Sequence, residues 1–336
     1  MLIVSAGEVR QILADREDAV LDAVRRAYVL HARGRTVLPH SVFLRFPEDA
    51  RNRIIGLPAY LGDDSPVAGM KWISSFPGNV DRGLARASAA IVVNSMTDGH
   101  PVALIEGSTI SARRTAASAA LAAGALAPPA GGVSLIGCGV INFEVLRFLR
   151  AALPGLTEVT VFDLDAGRAA AFARRCARWD LKVRVAGGVE EALGAHPLVC
   201  LATTAGVPHL GLAHCRPGAL VLHLSLRDIF PADIRAAVNV VNVVDDADHV
   251  CRAATSLHLA EQETGNRDFI AAGIGEILDG AGWRHDPERV TVYSPFGLGV
   301  LDLAVAELVR RAAERDGVGT RLPDFLTAPP EDPDAD

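Results

Sequence analysis

The stretch GVSLIGCGVINFEVLRFL at residues 132–149 limits the fold of this chain more than any other. An apolar run, two glycines and an amphipathic run follow one another, which predicts a strand, a tight turn and a helix. Gly137 permits the turn, and Gly139 lets the backbone approach a pyrophosphate at the free N–H groups of the helix start. Asn142 stands where the usual pattern has its third glycine. The motif is incomplete, but it still predicts a dinucleotide-binding loop.

The residues around this loop extend the cofactor interpretation. The next apolar run ends in Asp163, 26 residues after Gly137, where a carboxylate suits the ribose hydroxyls of NAD and repels the 2′-phosphate of NADP. Arg168 is close enough in sequence to meet such a phosphate, so NADP is the less favoured alternative. The other predicted cofactor contacts are Val140, Ile141, Asn142, Thr203 and Thr204. For the two threonines, ordinary turn chemistry is the alternative.

Strand-like and helix-like segments alternate throughout the region that follows this loop. The runs EVTVFD, KVRVA, LVCLATT, ALVLHLS and VNVVNVVD are almost continuously apolar. Such strands, alternating with helices, predict a parallel sheet covered on both faces, which is the doubly wound Rossmann arrangement of an α/β fold. Residues 128–132 are rich in proline and glycine and predict a linker, and residues 266–280 predict a helix.

The first third of the chain has a different pattern. After an amphipathic helix over residues 17–34, short β-type runs separated by turn residues extend from residue 37 to residue 106. They predict a mostly antiparallel or mixed sheet, with one hairpin closed by the pair Asp98–Gly99. Near the other end of the chain, an amphipathic segment predicts a long helix. The tail at 328–336 is rich in proline and acidic residues and is expected to be disordered.

Composition and charge exclude several classes of partner. A net charge of −7 gives no basic footprint for nucleic acid, and no uncharged apolar run reaches the roughly 18 residues that a membrane span requires. The five cysteines include no Cys-x-x-Cys pair, which favours a reducing cytoplasm over a disulfide framework or a zinc site. His209, His214 and His223 fit no usual ligand spacing, so no metal is expected. A length of 336 residues suits two domains.

Several long strings of the sequence resemble one known family. FLRFP, GMKWISSFPGN, SARRTAASAA, the glycine turn and SPFGLGVLDLAVAELV are similar to the ornithine cyclodeaminase/mu-crystallin family over nearly the whole chain. Within it, KWISSFPGN, GCGVINFE, LSLRDIFP and VVDDADHVCRAATSLHLAEQ resemble the branch of N-(2-amino-2-carboxyethyl)-L-glutamate dehydrogenases. That branch serves 2,3-diaminopropionate biosynthesis for siderophores and peptide antibiotics.

The resemblance implies a fold, an assembly and a reaction. It implies a substrate-binding and dimerisation domain over residues 1–114, completed by residues 300–330, and an NAD-binding Rossmann domain over residues 115–299. It implies a homodimer and an NAD-dependent enzyme that acts on a small amino-acid substrate. In the reaction of the branch, NAD takes a hydride from the glutamyl α-carbon, and water hydrolyses the resulting imine. The products are 2-oxoglutarate and L-2,3-diaminopropionate.

Two cationic side chains on predicted strands are candidates for the substrate site. Lys71 lies in an otherwise apolar strand, where desolvation lowers the pKa of a lysine toward values useful in proton transfer. A lysine that snorkels from an edge strand is the alternative. Arg45 suits a bidentate contact with a carboxylate, although the pattern alone favours an arginine paired with a surface acid. The resemblance implies that Arg45 binds substrate and that Lys71 contacts a substrate carboxylate and assists proton transfer.

Asp228 and Arg114 complete the candidates for catalysis and substrate binding. Asp228 follows the strand ALVLHLS at its C-terminal end, where doubly wound sheets bind ligands. The resemblance implies a general base toward the amine or the attacking water, and a helix N-cap is the alternative. Arg114 precedes Thr115 in SARRTAASAA, as does the arginine of the family that lies near substrate and cofactor. The resemblance therefore implies that Arg114 and Thr115 also contact the cofactor, and Arg113, which is expected to face solvent, is the adjacent alternative to Arg114.

Two further arginines and several functions remain open. Arg53 and Arg86 are candidates for the extra carboxylate of a glutamyl substrate, and surface arginines are the equal alternative. The string SLRD replaces the glycine-rich loop of ornithine cyclodeaminases, which argues against ornithine as the substrate. An ornithine cyclodeaminase, a related imino-acid reductase or an alanine dehydrogenase is the enzymatic alternative. A non-catalytic protein that binds NAD(P)H and a ligand, similar to mu-crystallin, is the alternative of another class.

Overall fold

The chain builds one sheet from strands within residues 2–106 and a short strand at residues 320–321, and a second sheet from strands within residues 132–294. The computed structural model describes residues 1–49, 51–128 and 130–326, so the tail predicted to be disordered lies outside the described residues. The elements before residue 130 are β1 (Leu2–Val4), α1 (Ala6–Ile12), α2 (Glu17–Ala32), β2 (Thr36–Val37), β3 (Val42–Arg45), β4 (Arg53–Leu61), β5 (Val67–Ser75), β6 (Ala87–Asn94), β7 (Pro101–Glu106) and α3 (Gly107–Leu126).

The second part of the chain contains more and shorter elements. They are β8 (Gly132–Ile136), α4 (Val140–Ala152), β9 (Glu158–Phe162), α5 (Ala166–Cys176), β10 (Lys182–Val185), α6 (Val189–Ala195), β11 (Leu198–Leu201), β12 (Leu220–His223), α7 (Pro231–Ile234), β13 (Val240–Val244), α8 (Ala247–Val250), α9 (Ser256–Thr264), β14 (Ile270–Gly273), α10 (Ile274–Leu278), β15 (Val290–Ser294), α11 (Gly299–Asp316) and β16 (Thr320–Arg321). Short 3₁₀ turns at Pro77–Arg82 and Ala177–Trp179 lie between these elements.

The first sheet is mixed, as the sequence predicts. Its order is β16-β1-β7-β6-β5-β4-β2, with β3 also paired to β4. Strands β4 to β7 form an antiparallel meander, and β1 joins β7 in parallel. Side chains alternate between the two faces of a strand. On β5, Lys71 is 2% exposed beneath the helices α3 and α11, whereas Trp72 on the other face is 43% exposed.

The second sheet is parallel throughout, which confirms the predicted doubly wound arrangement. Its order is β10-β9-β8-β11-β12-β15-β13-β14. Strands β8, β9 and β10 extend to one side of the centre, and β11 and β12 extend to the other. The connections therefore diverge between β8 and β11, and a crevice opens there at the carboxyl ends of the strands. The glycine turn lies in this crevice.

The central helix α3 links the two parts of the fold. Its 20 residues are mostly alanine and other small side chains, and 14 of them are buried, between α2, α4, α11 and the first sheet. Small side chains let neighbouring backbones approach closely, so an alanine-rich helix suits this enclosed position. The helix also runs through the predicted domain boundary at residues 114 and 115, and that division stays a prediction. No helix in the described ranges is both long enough and apolar enough to span a bilayer.

One predicted element is wrong. Residues 266–280 were expected to form a helix, but Ile270–Gly273 pair with β13 as strand β14, and only Ile274–Leu278 are helical. Periodicity cannot separate a buried strand from a helix in so short an apolar run, and the free edge of β13 decides the outcome. The two-residue strands β2 and β16 also carry no sequence pattern of their own.

Candidate active site

The glycine turn joins β8 to α4 in the crevice of the second sheet. Gly137 has φ of 92°, and a Cβ there would collide with the carbonyl oxygen of Ala202 at the end of β11, so no other residue fits without strain. Gly139 has open space where a side chain would be. Beyond it, the first turn of α4 begins at the exposed Val140 and presents the N–H groups of a helix start. This cradle fits the pyrophosphate of a dinucleotide.

Asn142 explains how the turn forms without its third glycine. The side chain is fully buried, and Nδ2 donates to the carbonyl oxygens of Ile136 at 2.9 Å and Gly137 at 2.7 Å. The amide therefore ties the start of α4 to the end of β8. The predicted contact between Asn142 and a cofactor stays a prediction. In the site, the Asn142 side chain holds the shape of the turn.

Asp163 borders the same crevice. Its Oδ2 accepts the N–H of Cys138 at 2.8 Å, and its Oδ1 accepts the N–H of Asp165 at 3.0 Å. Carboxylate oxygens have further lone pairs, so Asp163 can still accept the hydroxyls of a ribose. Burial, reinforced by the charge of Asp163, raises the pKa of the Cys138 thiol to about 12, which leaves the thiol unreactive. Arg168 is exposed on α5.

Lys71, Arg114 and Asp302 form a buried triad between the first sheet and two helices. Lys71 Nζ lies 2.5 Å from Asp302 Oδ2 and donates to Ser111 Oγ at 3.3 Å. Arg114 Nε donates to Asp302 Oδ1 at 3.1 Å. The three side chains come from β5, α3 and the first turn of α11, and Asp302 is completely inaccessible to solvent. Two predicted substrate-binding cations therefore meet at one carboxylate.

Burial changes the acid–base behaviour of Lys71. Desolvation and, less strongly, the charge of Arg114 lower its pKa, Asp302 acts in the opposite direction, and the pKa of Lys71 is about 8 as a result. An edge-strand lysine that reaches solvent was the alternative, and it is wrong, because β5 lies between β4 and β6. At a pKa of about 8, Lys71 can both bind an anion and exchange a proton near neutral pH.

Arg114, and not its neighbour, points to the triad. Arg113 was expected to face solvent, and this is wrong: it is buried, donates to the carbonyl of Leu13 and lies 3.7 Å from Glu144. Consecutive helix residues diverge by about 100°, so the two arginines face different neighbours. Arg114 packs against Gly297, whose φ of 92° and missing side chain leave room for the guanidinium.

Asp228 is held in the loop after β12. The hydroxyl of Thr203 donates to its Oδ1 and that of Ser225 to its Oδ2. His223 Nε2 lies 3.3 Å from Oδ2, and His223 Nδ1 lies 3.1 Å from Ser294 Oγ. Burial raises the pKa of Asp228, but the hydrogen bonds from His223, Ser225 and Thr203 outweigh it and lower the pKa below the usual range. The carboxylate therefore stays ionised at neutral pH.

The predicted threonines and the alternative role of Asp228 have different outcomes in the structure. The N-cap alternative for Asp228 is wrong, because α7 begins at Pro231 with Phe230 as its cap. Thr203 Oγ1 donates to Asp228 and also accepts the N–H of Ala205 at 3.1 Å, which is ordinary turn chemistry, whereas Thr204 is exposed. The cofactor contact of the two threonines stays a prediction. The hydroxyl of Thr115 donates within α3 to the carbonyl of Ser111 at 2.7 Å.

Strand register brings three predicted arginines to one side of the first sheet. Arg45 lies opposite Arg53, and Arg53 lies opposite Ser75. Directly opposed residues share a face, and Ser75 is four positions from Lys71 on the same strand, so all of them lie on the face of Lys71. Arg86 donates to Ser75 Oγ at 2.9 Å and joins them. Like charges at opposed positions destabilise a sheet unless an anion offsets them.

A fourth arginine approaches this group from the second sheet. Burial, together with the positive charges of Arg227, Arg86 and Arg45, lowers the pKa of Arg53. The pKa of Arg227 is also lowered by burial and by Arg45. Within residues 1–49, 51–128 and 130–326, none of these four arginines forms a salt bridge, and the buried Nε of Arg53 has no hydrogen-bond partner. The arginine cluster (Arg45, Arg53, Arg86 and Arg227) is thus an excess of positive charge beside Asp228.

Two strained segments hold Arg227 in place. Leu226, just before Arg227, has φ of 67°. In a second loop, which contacts Arg227, φ is 55° at Ala253 and 54° at Ala254. Such left-handed conformations of non-glycine residues cost about 1–3 kcal/mol each and persist where the surroundings fix them. Arg227 Nη2 donates to the carbonyl of Ala253 at 2.6 Å. Strain concentrated around one arginine is typical of a functional loop.

Sequence reasoning missed Asp302, Ser225 and Arg227, and it considered His223 only as a possible metal ligand. Asp302 looks like one acidic residue among several on an amphipathic helix, and nothing in its sequence neighbourhood identifies its partners. Arg227 and Ser225 stand in the string SLRD, whose departure from the family's loop was the one available sign.

As for metals, the described residues contain no group of three or more His, Cys, Asp or Glu side chains able to hold an ion.

Comparison with known proteins places this arrangement in one family. The sequence model of the ornithine cyclodeaminase/mu-crystallin family matches residues 3–317. A protein of Staphylococcus aureus named N-((2S)-2-amino-2-carboxyethyl)-L-glutamate dehydrogenase is 27% identical over 331 residues, which cover 96% of this chain and 98% of the relative. The similarity therefore includes both sheets and α11.

Solved structures show the same fold. An archaeal alanine dehydrogenase dimer with bound NAD has a TM-score of 0.86 at 26% identity, over 97% of this chain and 99% of the other. Δ1-Pyrroline-2-carboxylate reductase of Thermococcus litoralis, in complex with NADH and L-proline, has a TM-score of 0.89 at 24% identity, over 96% of this chain and 100% of the other. The latter supports the fold alone.

Proposed function

Because this chain belongs to the ornithine cyclodeaminase/mu-crystallin family, we propose that it cleaves N-(2-amino-2-carboxyethyl)-L-glutamate oxidatively to 2-oxoglutarate and L-2,3-diaminopropionate. The general activity is that of an NAD-dependent dehydrogenase acting on CH–NH or imine groups of amino acids. The choice of substrate within that class is the proposal. It would place the enzyme in 2,3-diaminopropionate biosynthesis.

The arginine cluster is the observation that carries this choice. The glutamyl conjugate has three carboxylates, and the four arginines beside Asp228 offer charge-assisted, bidentate contacts for them. Ornithine has one carboxylate and two ammonium groups, so it would bring a net positive charge into the same positive field, which costs free energy at short range, whereas the conjugate has three carboxylates for its two amines. Alanine and proline have one carboxylate each and would leave most of the cluster unpaired. A substrate rich in carboxylates therefore fits this site better than the substrates of the alternatives.

The glycine turn and Asp163 are the residues that hold the cofactor. Gly137 and Gly139 shape the cradle, the start of α4 offers N–H groups to the pyrophosphate, and Asp163 accepts ribose hydroxyls. A bound NAD would supply the acceptor for the hydride of the glutamyl α-carbon. The carboxylate of Asp163 disfavours the 2′-phosphate of NADP, so NAD is the preferred cofactor.

Lys71 and Arg114 bind the α-carboxylate at the reacting carbon in this proposal, and the arginine cluster binds the other two. A secondary amine must lose its ammonium proton before its carbon can be oxidised. Lys71, with a pKa of about 8, is the base for that proton in its neutral form. Once Lys71 has accepted that proton, Lys71 and Arg114 together with the one buried carboxylate carry one net positive charge, which attracts the substrate anion.

Asp228 acts on the oxidised substrate. Its low pKa keeps it as a carboxylate, which stabilises the positive charge of the imine. It then accepts a proton from the water that attacks the imine carbon and returns that proton to the departing amine nitrogen. Thr203, Ser225 and His223 orient the carboxylate for both steps. The predicted role of Asp228 as a general base is kept in this form.

We also propose a homodimer formed through the outer face of the first sheet. Val42 lies opposite Gly56, and Gly56 opposite Trp72, so the three share the face turned away from Lys71. Val42, Leu44 and Trp72 are 64%, 46% and 43% exposed on it. An apolar patch of this kind on a sheet marks a protein interface. A second copy is the proposed occupant, because the archaeal relative with 97% coverage is a dimer.

The experiment supplies purified protein with NAD and the synthetic conjugate, follows NADH at 340 nm and identifies the products by mass spectrometry. The proposal predicts equal amounts of 2-oxoglutarate and diaminopropionate, and activity lost in Asp228→Asn and Lys71→Ala. Formation of proline and ammonia from ornithine, with the conjugate inert, would instead establish a cyclodeaminase. Cofactor binding without turnover of either compound, or of alanine and cyclic imines, would indicate a binding protein.

A further inference from the structure

We propose that Asp302 is a positioning residue, which fixes Lys71 and Arg114 side by side and keeps Lys71 chargeable beneath the substrate. The established family activity does not require this role. It deepens the proposed function and rests on it, because the two cations must face the substrate for their position to matter. The evidence is the geometry of the triad.

Each oxygen of Asp302 serves a different cation. Oδ2 lies 2.5 Å from Lys71 Nζ, and Oδ1 lies 3.1 Å from Arg114 Nε. The carboxylate thus bridges the two, and a bidentate pair with Arg114 alone would have left Lys71 free. Lys71 has one other contact, at 3.3 Å to Ser111 Oγ. Within the described contacts, Asp302 is therefore the main constraint on where the Lys71 ammonium lies.

The charges of the triad also need Asp302. Lys71 and Arg114 are both buried, so without a carboxylate their repulsion would act in a poorly screened environment. Lys71 is the partner that can give up its charge, since a guanidinium cannot be deprotonated in a protein. Asp302 offsets one of the two charges and leaves the other for a substrate carboxylate. Without Asp302, Lys71 would lose its proton at a lower pH, and Arg114 would lose the carboxylate that holds it.

A purely structural role accounts poorly for this arrangement. A buried ion pair is weak evidence for stability, because the desolvation of both charges offsets their attraction. Asp302 is 231 residues from Lys71 and 188 residues from Arg114 in the sequence, so the fold brings a carboxylate from the last helix to these two cations. All the buried residues of α11 other than Asp302 are apolar. The one polar exception meets the two candidate cations.

The test measures the titration of Lys71 directly in the full chain without substrate. The chain has only two lysines, Lys71 and Lys182, so protein labelled with lysine carrying ¹³C at Cε gives two resonances. Lys182 is 84% exposed and serves as the internal reference. In Asp302→Asn we expect the midpoint of Lys71 to fall by about one pH unit or more from its wild-type value, with Lys182 unchanged. An unshifted Lys71 in the folded variant would overturn the proposal.

Two further variants keep the test decisive. If Asp302→Asn does not fold, Arg114→Gln leaves the carboxylate intact and removes the competing charge, and the midpoint of Lys71 should rise by about half a unit or more. No rise would contradict the coupling. Asp316→Asn removes an exposed carboxylate at the other end of α11 and should leave Lys71 unchanged.

Enzyme kinetics distinguish a failure of the role proposed for Asp302 from a failure of the proposed substrate. Where the variant is active, the pH profile of kcat/KM should shift with the midpoint of Lys71, and Asp302→Glu should recover part of the wild-type profile. A helix that is only less stable would lower the activity at every pH. If the glutamyl conjugate is inert, the proposed substrate fails while the titration result stands. If the conjugate reacts and Lys71 does not move in Asp302→Asn, the role of Asp302 fails alone.

Discussion

Among single residues, Asn142 makes the clearest structural prediction. Its amide donates to two carbonyl oxygens in the glycine turn, so Asn142→Asp would turn a donor into an anion that faces both acceptors. We expect the free energy of unfolding to fall by about 1–3 kcal/mol or more and the affinity for NAD to fall with it. Urea unfolding and NAD titration measure the two effects. The control, Asn239→Asp, makes the same change at an exposed position, and equal losses in both variants would contradict the account.

Lys71 makes a prediction about pH. Its pKa is lowered to about 8, and the proposed step needs its neutral form, whose fraction grows as the pH rises. The rate of oxidation with saturating NAD should therefore increase through pH 8 and level off above it. Lys71→Arg keeps a positive charge at every pH and should lose this rise together with most of the activity. A wild-type profile that is flat from pH 7 to 9 would exclude Lys71 as the base.

The identity of these residues was accessible from the sequence to different degrees. Lys71 stood out because a lysine in an apolar strand needs a partner, but its partner was not visible. Arg113 and Arg114 are adjacent on α3, and only the packing of the helix against α4 on one side and α11 on the other shows which of them meets Asp302. Asp302 needed the three-dimensional contact itself.

Among the elements, the loop that leads into α11 couples backbone geometry to the site. Gly297 has φ of 92°, and a side chain there would overlap the Arg114 guanidinium. We expect Gly297→Ala to lose about 1–3 kcal/mol of stability and to lower kcat/KM, because Arg114 is displaced. Gly124→Ala, at a helical position with open space, should not harm either quantity. Thermal unfolding and steady-state kinetics of both variants check this, and an equally active Gly297→Ala would contradict it.

The strands and helices were largely predictable because their patterns are long. Turn residues and short β-type runs predicted strands between residues 37 and 106, where β4 and β5 lie, and the strand–turn–helix order predicted β8 and α4. Strand β14 was mistaken for helix because four apolar residues carry no period, and the edge of β13 supplies the pairing. Most elements thus follow from the local sequence pattern, whereas an element such as β14 depends on pairing with a segment distant in sequence.

For the whole molecule, the outer face of the first sheet makes a prediction about assembly. The wild-type protein should have twice the mass of the 35.3 kDa chain in solution. Trp72→Asp places a charge in the apolar face and should give a monomer, since a buried unpaired charge is strongly disfavoured. Val238→Asp changes an apolar residue that is 85% exposed elsewhere and should leave the dimer intact. Light scattering coupled to size exclusion measures the masses, and a monomeric wild type would refute the dimer.

The arginine cluster also belongs to the whole molecule, because it joins both sheets. Arg45, Arg53 and Arg86 were candidates from the sequence, each balanced against a surface role. Only the packing of the second sheet against the first brings Arg227 among them. The sequence therefore named most of the members, but the concentration of charge, on which the substrate proposal depends, could not be derived from spacing.

A comparison of two substrates of equal shape shows whether the arginine cluster selects carboxylates. It determines kcat/KM of the wild-type protein with NAD for the glutamyl conjugate and for its analogue in which the side-chain carboxylate is an amide. If the arginine cluster selects carboxylates, the glutamyl conjugate should be favoured about 10- to 100-fold, since a charged hydrogen bond contributes about 1.5–3 kcal/mol. Equal values for the two compounds, or turnover of neither, would contradict the account.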